Sequence, residues 1–493
     1  MADSCDINWL RSSRGGARTA ESFTVFAFIW GVTEGLHLVT FEAWVDKPVG
    51  IALAASVFWL LLRPSSLGRF ALVNGLDFAY VFTIAPMTAN HILFNAFVNL
   101  AMLLIIAMHW LRRRDSAPVD RAAVFEQIRV FGRLALIMLY FFAVFHKLNT
   151  DYFKPQISCA SHLLVTMDWL PFTLDAKAVL ATAIWGTLIV EALIPAMLVI
   201  GPLRKYGLGL ELGFHLFLST HMHTGLYSFS ALMFAMYFLF LPDVFVARLK
   251  EKLVNRRALL SAVTSGYRRY GRRATLAAAA CVIAFVIGVI LTGVDIRVWK
   301  QYVSKIGLGV WIVWGCALAC TYVWTDWGKS APMREWGVRR VLLPGPAPAM
   351  IILVLMFAHS MSPYFGLKTV PVLSMFGNLR TEGGVTNHLI MPQWLKVTGY
   401  QEDLVDIRRA SHSKLKFCAK RNLLLPYFEF RTVVTQIDGP VRVKYVRDGR
   451  EHVYKRTESG RVEGKPIKPV PWLLGRYLWF RAVDKDPPTH CRW

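Results

Sequence analysis

The sequence is poor in charged residues for its length. Only 18% of its 493 residues are Asp, Glu, Lys or Arg, whereas a soluble protein of this size would be expected to carry about a quarter. By contrast, 55% of the residues are hydrophobic and the mean hydropathy is +0.40. We therefore expect an all-α polytopic membrane domain followed by a small α+β domain outside the membrane.

Acidic residues are the scarcer of the two charged groups. The chain has 32 Asp and Glu against 56 Lys and Arg, which gives a formal net charge of +24. Such a basic excess is one signature of nucleic-acid binding, but here the basic residues crowd the loops on one side of the apolar runs. That placement is typical of the positive-inside rule, with anionic lipid head groups as counter-charges. We therefore expect membrane lipids, and not nucleic acid, as partners.

Several catalytic and metal-binding motifs are missing. The seven cysteines form no C-x-x-C pair, which argues against a zinc site built on thiolates. The spaced histidine boxes of membrane di-iron enzymes are absent, so no metal cofactor is expected. The basic C-terminal part contains no G-x-G-x-x-G, Walker loop or G-x-S-x-G, and so gives no sign of nucleotide binding or of a serine hydrolase.

Long apolar runs are the main feature of the sequence. We predict about eleven membrane-crossing helices, near Phe23–Phe41, Val49–Leu62, Phe70–Ile84, His91–Leu111, Val130–Asn149, Ala178–Ile200, Leu208–Met222, Tyr227–Phe245, Ala274–Leu291, Ile306–Val323 and Val341–His359. The second and third runs fall short of the about 20 apolar residues that one crossing needs. The first run continues past Glu34 and His37 without a small-residue cleavage site, so we interpret it as a retained span and not as a signal peptide.

The loop charges predict an orientation. Arg63 and Arg69 fall in one loop, Arg112 to Arg114 fall in the next loop but one, and later basic clusters follow the same alternation. The positive-inside rule then places the N-terminus in the cytoplasm and the C-terminus on the outer side. We predict four regions: a cytoplasmic segment over 1–20, a membrane domain over 21–361, a linker packed on the outer mouth over 362–390, and a small basic outer-side domain over 391–493.

The stretch from Leu139 to Leu164 carries the main candidate site. An apolar run there ends on His146, Lys147, Leu148 and Asn149. The stem of the lysine can lie along apolar surface while its ammonium reaches water. Alternatively, Lys147 faces the bundle interior, where desolvation disfavours the charged form and a neutral amine can act as a base.

These residues carry a resemblance to a known family. Lys147-Leu148-Asn149 with Asp151 is similar to the lysine-leucine-aspartate-x-aspartate context of the catalytic lysine in the vitamin K-dependent gamma-carboxylase, with Asn149 in place of the first acid. Ala89-Asn90-His91-Ile92 resembles the carboxylase segment that carries a functional histidine. Phe214-His215 with the run Gly225 to Leu241 is the third match. Together they resemble the HTTM family, the membrane domain shared by the carboxylase and many bacterial proteins.

The resemblance implies a reaction and a set of site residues. Lys147 would be the catalytic base that deprotonates a reduced quinone, such as menaquinone or vitamin K hydroquinone, and His91 would be a catalytic residue that hydrogen-bonds the quinone or its anion. The cofactor-binding residues would be Asn90, His146, Glu211 and His215. Oxygenation of the quinone would then drive epoxidation and carboxylation of an unknown protein or small-molecule substrate, and the bacterial homologues imply an inner-membrane location. Only about 130 residues follow the last predicted span, which argues against the propeptide-tagged substrates of the carboxylase.

Two other functions remain open at this point. The chain could bind or transport a lipid or a quinone without chemistry. It could also be a metal-dependent membrane oxidase that uses His215, His221 and His223. Glu211 and His215 are four residues apart and share a helix face, but such a pair can equally be a contact that locks two helices together.

The region after the last predicted span is first polar and then basic. Arg380, Glu382 and His388 could reach back over the membrane mouth, or could simply pack within a linker. Val441–Val446 and Glu451–Arg456 alternate around an Arg-Asp-Gly-Arg turn, which predicts a hairpin. Leu404–Ile407 and Tyr477–Arg481 are the other strand candidates.

Three cysteines lie on the predicted outer side, where oxidation is permitted: Cys159, Cys418 and Cys491. We predict that Cys418 is bridged to either Cys491 or Cys159. The odd number leaves one of the three free or paired between chains.

Overall fold

The structure, a computed structural model, is mostly helical and has a small antiparallel sheet near its C-terminus. It describes residues 17–40, 44–113, 118–167, 169–170, 176–221, 225–242, 244–255, 296–326 and 347–492, together with isolated positions at 273–288 and at 341. Helices α1 to α12 are, in order, Ala17–Thr40, Pro48–Leu62, Leu67–Ile84, Asn90–Arg112, Arg121–Phe145, Cys159–Val165, Lys177–Val199, Arg204–Ser219, Leu226–Phe238, Val244–Asn255, Ile296–Asp326 and Ala347–Ser360.

Six of the described helices are long and apolar enough to cross a membrane. They lie at Thr19–Thr40, Leu67–Ile84, Asn90–Arg112, Arg121–Phe145, Lys177–Val199 and Val303–Thr325. Three apolar helices are shorter: Pro48–Leu62, Leu226–Phe238 and Pro348–Ser360. By length and composition, the chain is an integral, multi-pass membrane protein.

The predicted count of about eleven crossings is not supported. At 1.5 Å per residue, helices of 13 to 16 residues such as α2, α8, α9 and α12 fall short of a hydrocarbon core of about 30 Å. An apolar run in the sequence does not reveal that its helix ends early. The predicted crossing Ala274–Leu291 lies, apart from isolated positions, outside the described residues.

The chain divides into two compact units. The first comprises Met1–Val81, Phe94–Met138 and Ala192–Val354, and the second comprises Phe82–Leu93, Leu139–Glu191 and Leu355–Trp493. Each unit draws on distant parts of the sequence, so tertiary contacts and not chain order define them.

Helix α1 is central to the first unit. Its side chains Phe23, Phe26 and Trp30 are fully buried. The Phe26 ring lies 6.0 Å from the ring of Phe70 and 6.3 Å from that of Phe238, centroid to centroid. A helix that is apolar on nearly every face is stable only when other helices surround it, which is how α1 is placed.

A six-stranded antiparallel sheet belongs to the second unit. Its strands β1 to β6 are Leu404–Ala410, Leu423–Pro426, Val441–Arg447, Arg450–Arg456, Val462–Gly464 and Val483–Asp484, in the spatial order β5-β4-β3-β1-β2-β6. Helices α13 (Ser413–Lys420), α14 (Tyr427–Gln436) and α15 (Trp472–Tyr477) accompany it. The core joins Val405 and Val443 of the sheet to Phe430 and Val434 of α14, all fully buried.

The hairpin prediction is confirmed. Strands β3 and β4 pair from Val441 with Arg456 to Arg447 with Arg450. The two turn residues, Asp448 and Gly449, both have positive φ, at 51° and 71°. A two-residue turn of this kind matches the twist of the flanking strands and favours Asp-Gly. The candidate Leu404–Ile407 is likewise confirmed as part of β1.

The strand predicted at Tyr477–Arg481 is wrong. Tyr477 ends helix α15, and the following residues are outside any strand. The apolar residues Leu478 and Phe480 alternate with other residues for a different reason than strand formation. Both are buried against Phe428 in a separate apolar cluster.

The predicted bridge to Cys418 is also wrong. Cys159 is joined to Cys491, with Cα atoms 4.9 Å apart, and Cys418 is a buried free thiol. Spacing in the sequence does not determine which cysteines meet. Cys418 lies on α13, where it packs in the core of the sheet.

Candidate functional site

The candidate site lies in the second unit, where helix α5 ends. The helix stops at Phe145, and the backbone N–H groups of His146 and Lys147 still bond back to Phe142 O and Val144 O, at 3.0 Å each. The Lys147 side chain turns back along the helix, and its Nζ donates to Ala143 O at 3.1 Å. This contact satisfies one of the carbonyls that every helix leaves unpaired in its last turn, where a cation is also favoured.

Glu191 of helix α7 is the second partner of Lys147. The Lys147 Nζ donates to Glu191 Oε2 at 2.7 Å, and the two side chains are 3% and 11% exposed. The ammonium is therefore held inside the unit and does not extend to its surface. A buried pair of this kind is neutral as a whole whether the proton lies on the amine or on the carboxylate.

His146 lies beside Lys147 and is fully buried. Its Nδ1 is 2.9 Å from the hydroxyl oxygen of Tyr364, and its ring stacks on Phe142 and on Tyr364, at 5.3 and 5.6 Å between centroids. Burial lowers the pKa of His146 to about 3, and the neighbouring His388, Lys147 and Arg481 act in the same direction. The ring is therefore neutral at physiological pH.

His388 reaches back to the same helix end. Its Nδ1 accepts from the backbone N–H groups of Ile390 and Met391, at 3.1 and 3.0 Å. A neutral imidazole that accepts at Nδ1 carries its proton at Nε2, so Nε2–H donates to Phe145 O, 2.9 Å away. Burial lowers the pKa of His388, which favours this neutral form.

Asn149 holds the turn after Lys147 together. Its Nδ2 donates to His146 O at 2.9 Å and to Gly377 O, and its Oδ1 accepts from Tyr152 N at 2.9 Å. An ionised carboxylate has no N–H and could not bond the two carbonyls. The asparagine at this position is therefore what the local structure requires.

Asp151 is fixed a few residues further along. It accepts from Asn387 Nδ2 and Thr489 N, at 3.0 Å each, and from Lys154 Nζ at 2.8 Å. Burial alone would raise the pKa of Asp151, but the hydrogen bonds from Lys154, Thr489 and Asn387 outweigh it and lower that pKa. The carboxylate stays ionised and serves as an anchor.

A strained segment packs against the end of α5. Four non-glycine residues have positive φ, with values of 57°, 26°, 56° and 50° at Leu373, Met375, Phe376 and Asn378. A Cβ on the intervening Gly377 would lie only 2.7 Å from Ser374 O and 3.1 Å from His146 O, so this close approach needs a glycine. Conformations of this kind store strain, and they concentrate where a structure has a functional reason to hold them.

The two residues of the histidine-bearing match belong to the same unit. Asn90 begins α4, and its Oδ1 accepts from the backbone N–H of Val372, at 3.0 Å, next to the strained segment. His91 follows it and is buried. Asn90 therefore anchors the segment that packs on His146.

Glu211 and His215 lie in the first unit. Both are buried on one face of α8, and the backbone oxygen of His215 accepts from Ser230 Oγ at 2.9 Å. Asn90, His91, His146 and Lys147 therefore belong to the second unit, whereas Glu211 and His215 belong to the first. His223, one of the three histidines considered for a metal, lies outside the described residues. Within the described part of the chain, no group of three or more His, Cys, Asp or Glu is placed to hold a metal ion.

The sequence did not reveal the partner of Lys147. Glu191 was visible as an ionisable residue in an apolar run, and an acid in such a run usually has a charged partner. A lone lysine at the end of one run and a lone acid inside another could have been paired on that ground. Tyr364 and Gly377 had no comparable signal.

Comparison with known proteins adds no assignment. No protein-family model, no curated protein and no solved structure matches the chain.

Proposed function

We propose that this membrane protein binds a reduced quinone and that the Lys147 amine is the base that removes a hydroxyl proton from it. The buried pair of Lys147 with Glu191 is the observation that carries the proposal. A lysine has a nitrogen lone pair once it loses its proton, and a buried carboxylate in contact can take that proton. The site residues in the second unit are Lys147, Glu191, His146 and His91.

The proton balance of the proposed step is simple. The ammonium first passes its proton to Glu191, which leaves a neutral amine beside a neutral carboxylic acid. The amine then accepts a proton from one hydroxyl of the hydroquinone. The products are an ammonium at Lys147, a hydroquinone anion and a protonated Glu191. The positive charge forms next to the negative one, so the anion is stabilised as it appears.

The later chemistry follows from the resemblance to gamma-carboxylases. One hydroquinone and one dioxygen give one quinone epoxide and one water, which balances atoms and electrons. A reduced quinone bound at this site would supply the strong base that such chemistry needs, and that base would remove a proton from a carbon of the second substrate so that carbon dioxide could add in its place. The substrate is a protein or a small molecule whose carbon acid this base can reach.

Aromatic side chains around the helix end support a ring-shaped ligand. Phe142 lies 5.2 Å from Phe357 and 5.3 Å from the His146 ring, centroid to centroid. Phe145 lies 5.7 Å from Tyr364 and 4.7 Å from His388. Rings packed at these distances exclude water, and an apolar aromatic environment of this kind suits a planar quinone.

We further propose that the N-terminus is cytoplasmic and that the C-terminus lies on the outer side of a bacterial inner membrane. The basic loops support this orientation. The disulfide between Cys159 and Cys491 supports it independently, because such bonds persist on the oxidising side of that membrane. A reporter that works only outside the cytoplasm should be active when fused after Trp493, and cytoplasmic activity would overturn the orientation.

Lys147→Arg is the test of the base. Arginine keeps the positive charge and a donor to Glu191 but cannot give up its proton. We expect oxidation of a reduced menaquinone under oxygen to fall by about 10²- to 10⁴-fold, the usual contribution of a general base. The matched control is Lys154→Arg, because Lys154 is 50% exposed and pairs with Asp151. That variant should keep full activity.

Expression level and thermal stability must be measured for every variant. Wild-type turnover in a stable Lys147→Arg protein would reject the lysine base. Quinone binding without turnover by the wild-type protein would favour the non-catalytic alternative, a lipid- or quinone-binding or transport protein.

A further inference from the structure

A second buried polar cluster lies in the first unit, away from the residues discussed so far. It joins Glu34 of α1, Asp77 of α3, and Asn95 and Asn99 of α4. These side chains are at most 4% exposed. All three helices are among the six that can cross a membrane. Ionisable groups in such helices are costly to bury and usually mark a site.

The two asparagines bridge the two carboxylates. Asn95 Nδ2 donates to Glu34 Oε1 at 3.0 Å and to Asp77 Oδ2 at 3.2 Å. Asn99 Nδ2 donates to the same two oxygens, at 3.1 and 2.7 Å. Each amide thus uses both of its N–H groups, and Trp30 Nε1 donates to the Asn99 oxygen at 3.2 Å. The network holds the carboxylates next to each other.

Not every acceptor in this network has a donor. Glu34 Oε2 and Asn95 Oδ1 are buried and accept no hydrogen bond from the described residues. The basic group nearest to the pair in the described structure is His37, whose Nδ1 is 3.6 Å from Glu34 Oε2. No lysine or arginine of the described chain contacts either carboxylate. A carboxylate oxygen without a donor in a dry environment is strongly disfavoured in its charged form.

We infer that Glu34 and Asp77 together bind one proton, so that the pair carries a single negative charge inside the membrane unit. The proton lies on one of the two carboxylates, and Glu34 Oε2, the oxygen without a donor, lies 3.6 Å from His37 Nδ1. The titratable groups at this place are Glu34 and His37 on α1 and Asp77 on α3, while α4 contributes only amides. The site therefore takes up or releases a proton within the membrane, whether or not Lys147 acts on a quinone.

Infrared spectroscopy of the full-length protein tests the inference directly. A protonated carboxylic acid has a carbonyl stretch that carboxylates and amides lack. We expect this band to be weaker in the double variant Glu34→Gln/Asp77→Asn than in the wild type at neutral pH. The control Asp403→Asn, whose carboxylate pairs with Arg447 at the surface, should retain the full band. Equal bands in the wild type and the double variant would overturn the inference.

Thermal unfolding gives a second, independent measurement. Raising the pH removes the shared proton and leaves two adjacent buried charges, so the wild-type melting temperature should fall. Asp77→Asn keeps the shape and removes one charge, and its melting temperature should fall less over the same range. If the melting temperatures of the wild type and of Asp77→Asn fell by the same amount, the result would contradict a shared proton. Specific stabilisation of the wild type by sodium chloride, compared with choline chloride, would also overturn the inference, because a sodium ion would then neutralise the pair.

Discussion

Cys159 and Cys491 are joined by a disulfide although they lie 332 positions apart in the sequence. Asn378 accepts from the backbone N–H of Cys159 at 2.7 Å and donates to Thr489 O at 3.1 Å. Asp151 accepts from Thr489 N at 3.0 Å. The bridge therefore fastens the C-terminal segment to the loop that follows Lys147 and to the strained segment that packs on His146.

Cys491→Ser should destabilise the second unit. A long closed loop limits the unfolded chain, and loss of a natural disulfide usually costs about 2–5 kcal/mol. We expect a lower melting temperature for this unit and faster proteolysis of the C-terminal segment. The control is Cys316→Ser, because Cys316 is an exposed free thiol.

Mass spectrometry checks the pairing itself. After denaturation without reductant, alkylation should label Cys418 and leave Cys159 and Cys491 unlabelled. Labelling of all three would show that the bridge does not form. A bridge involving Cys418 would restore the pairing that the sequence suggested.

Local signals in the sequence predicted local structure well. The apolar run before Lys147 became helix α5, and the Asp-Gly pair at 448–449 became the hairpin turn. These features depend on residues that are neighbours in the chain. The run at Tyr477–Arg481 failed because its buried residues pack against Phe428, and a tertiary contact outweighs strand propensity.

Only part of the candidate site could be predicted from the sequence, because the rest of it comes from residues that are distant in the chain. Lys147 and His146 stand out as polar residues at the end of an apolar run. Glu191, Tyr364 and Gly377 act on them from 44 to 231 positions further along the chain, and one sequence contains no record of such distances. Asn149 departs from the acid of the pattern that it resembles, and its amide bonds two carbonyls that an ionised acid could not.

Breaking the pair of Lys147 with Glu191 should be more harmful than removing both members. Glu191→Leu or Lys147→Met alone leaves one buried group without its partner, at a cost of about 3–5 kcal/mol. The double variant removes both charges, so we expect it to recover much of the lost stability. The melting temperatures of the wild type, the two single variants and the double variant form a double-mutant cycle. This cycle measures how strongly Lys147 and Glu191 stabilise each other.

A surface pair provides the comparison for that cycle. Lys455 and Glu463 are 3.1 Å apart, and their side chains are 42% and 52% exposed. Exposed pairs contribute at most about 1 kcal/mol, so Lys455→Met should change the melting temperature little. Equal effects at the two pairs would mean that Lys147 and Glu191 are also solvated.

Glu429 should make the stability of the second unit depend on pH. Burial raises the pKa of this residue of α14 from its ordinary 4.5 to about 7, although hydrogen bonds from Phe480 and Trp479 and the nearby Lys414 oppose the rise. Between these two values the folded chain binds more protons than the unfolded chain, so stability falls as the pH rises. The full effect is about 3 kcal/mol.

Glu429→Gln tests this dependence. The amide keeps the shape but cannot ionise, so the variant should be less sensitive to pH between 4.5 and 7 and more stable than the wild type at pH 8. Glu458→Gln is the control, because Glu458 is exposed. Unchanged pH dependence in Glu429→Gln would place the responsible group elsewhere.

Lys368 should have the opposite effect on the pH dependence. Its side chain is buried, and its Nζ lies 4.9 Å from the centroid of the Tyr477 ring. Burial lowers the pKa of Lys368 from its ordinary 10.5 to about 7. Between these values the unfolded chain binds more protons, so the contribution of this residue to stability rises with pH and is lowest below pH 7. The difference is about 3–5 kcal/mol.

Lys368→Met keeps the length of the side chain and removes the amine, so it separates charge from packing. We expect the variant to melt at a higher temperature than the wild type at pH 6, because no buried ammonium remains, and the gap should close as the pH approaches 10. The control is Lys465→Met, at an exposed position. Its melting temperature should equal that of the wild type both at pH 6 and near pH 10. A Lys368→Met protein that melts below the wild type at pH 6 would mean that the ammonium over the Tyr477 ring is a net stabilising contact. In that case the attraction between a cation and an aromatic face outweighs the desolvation of the amine.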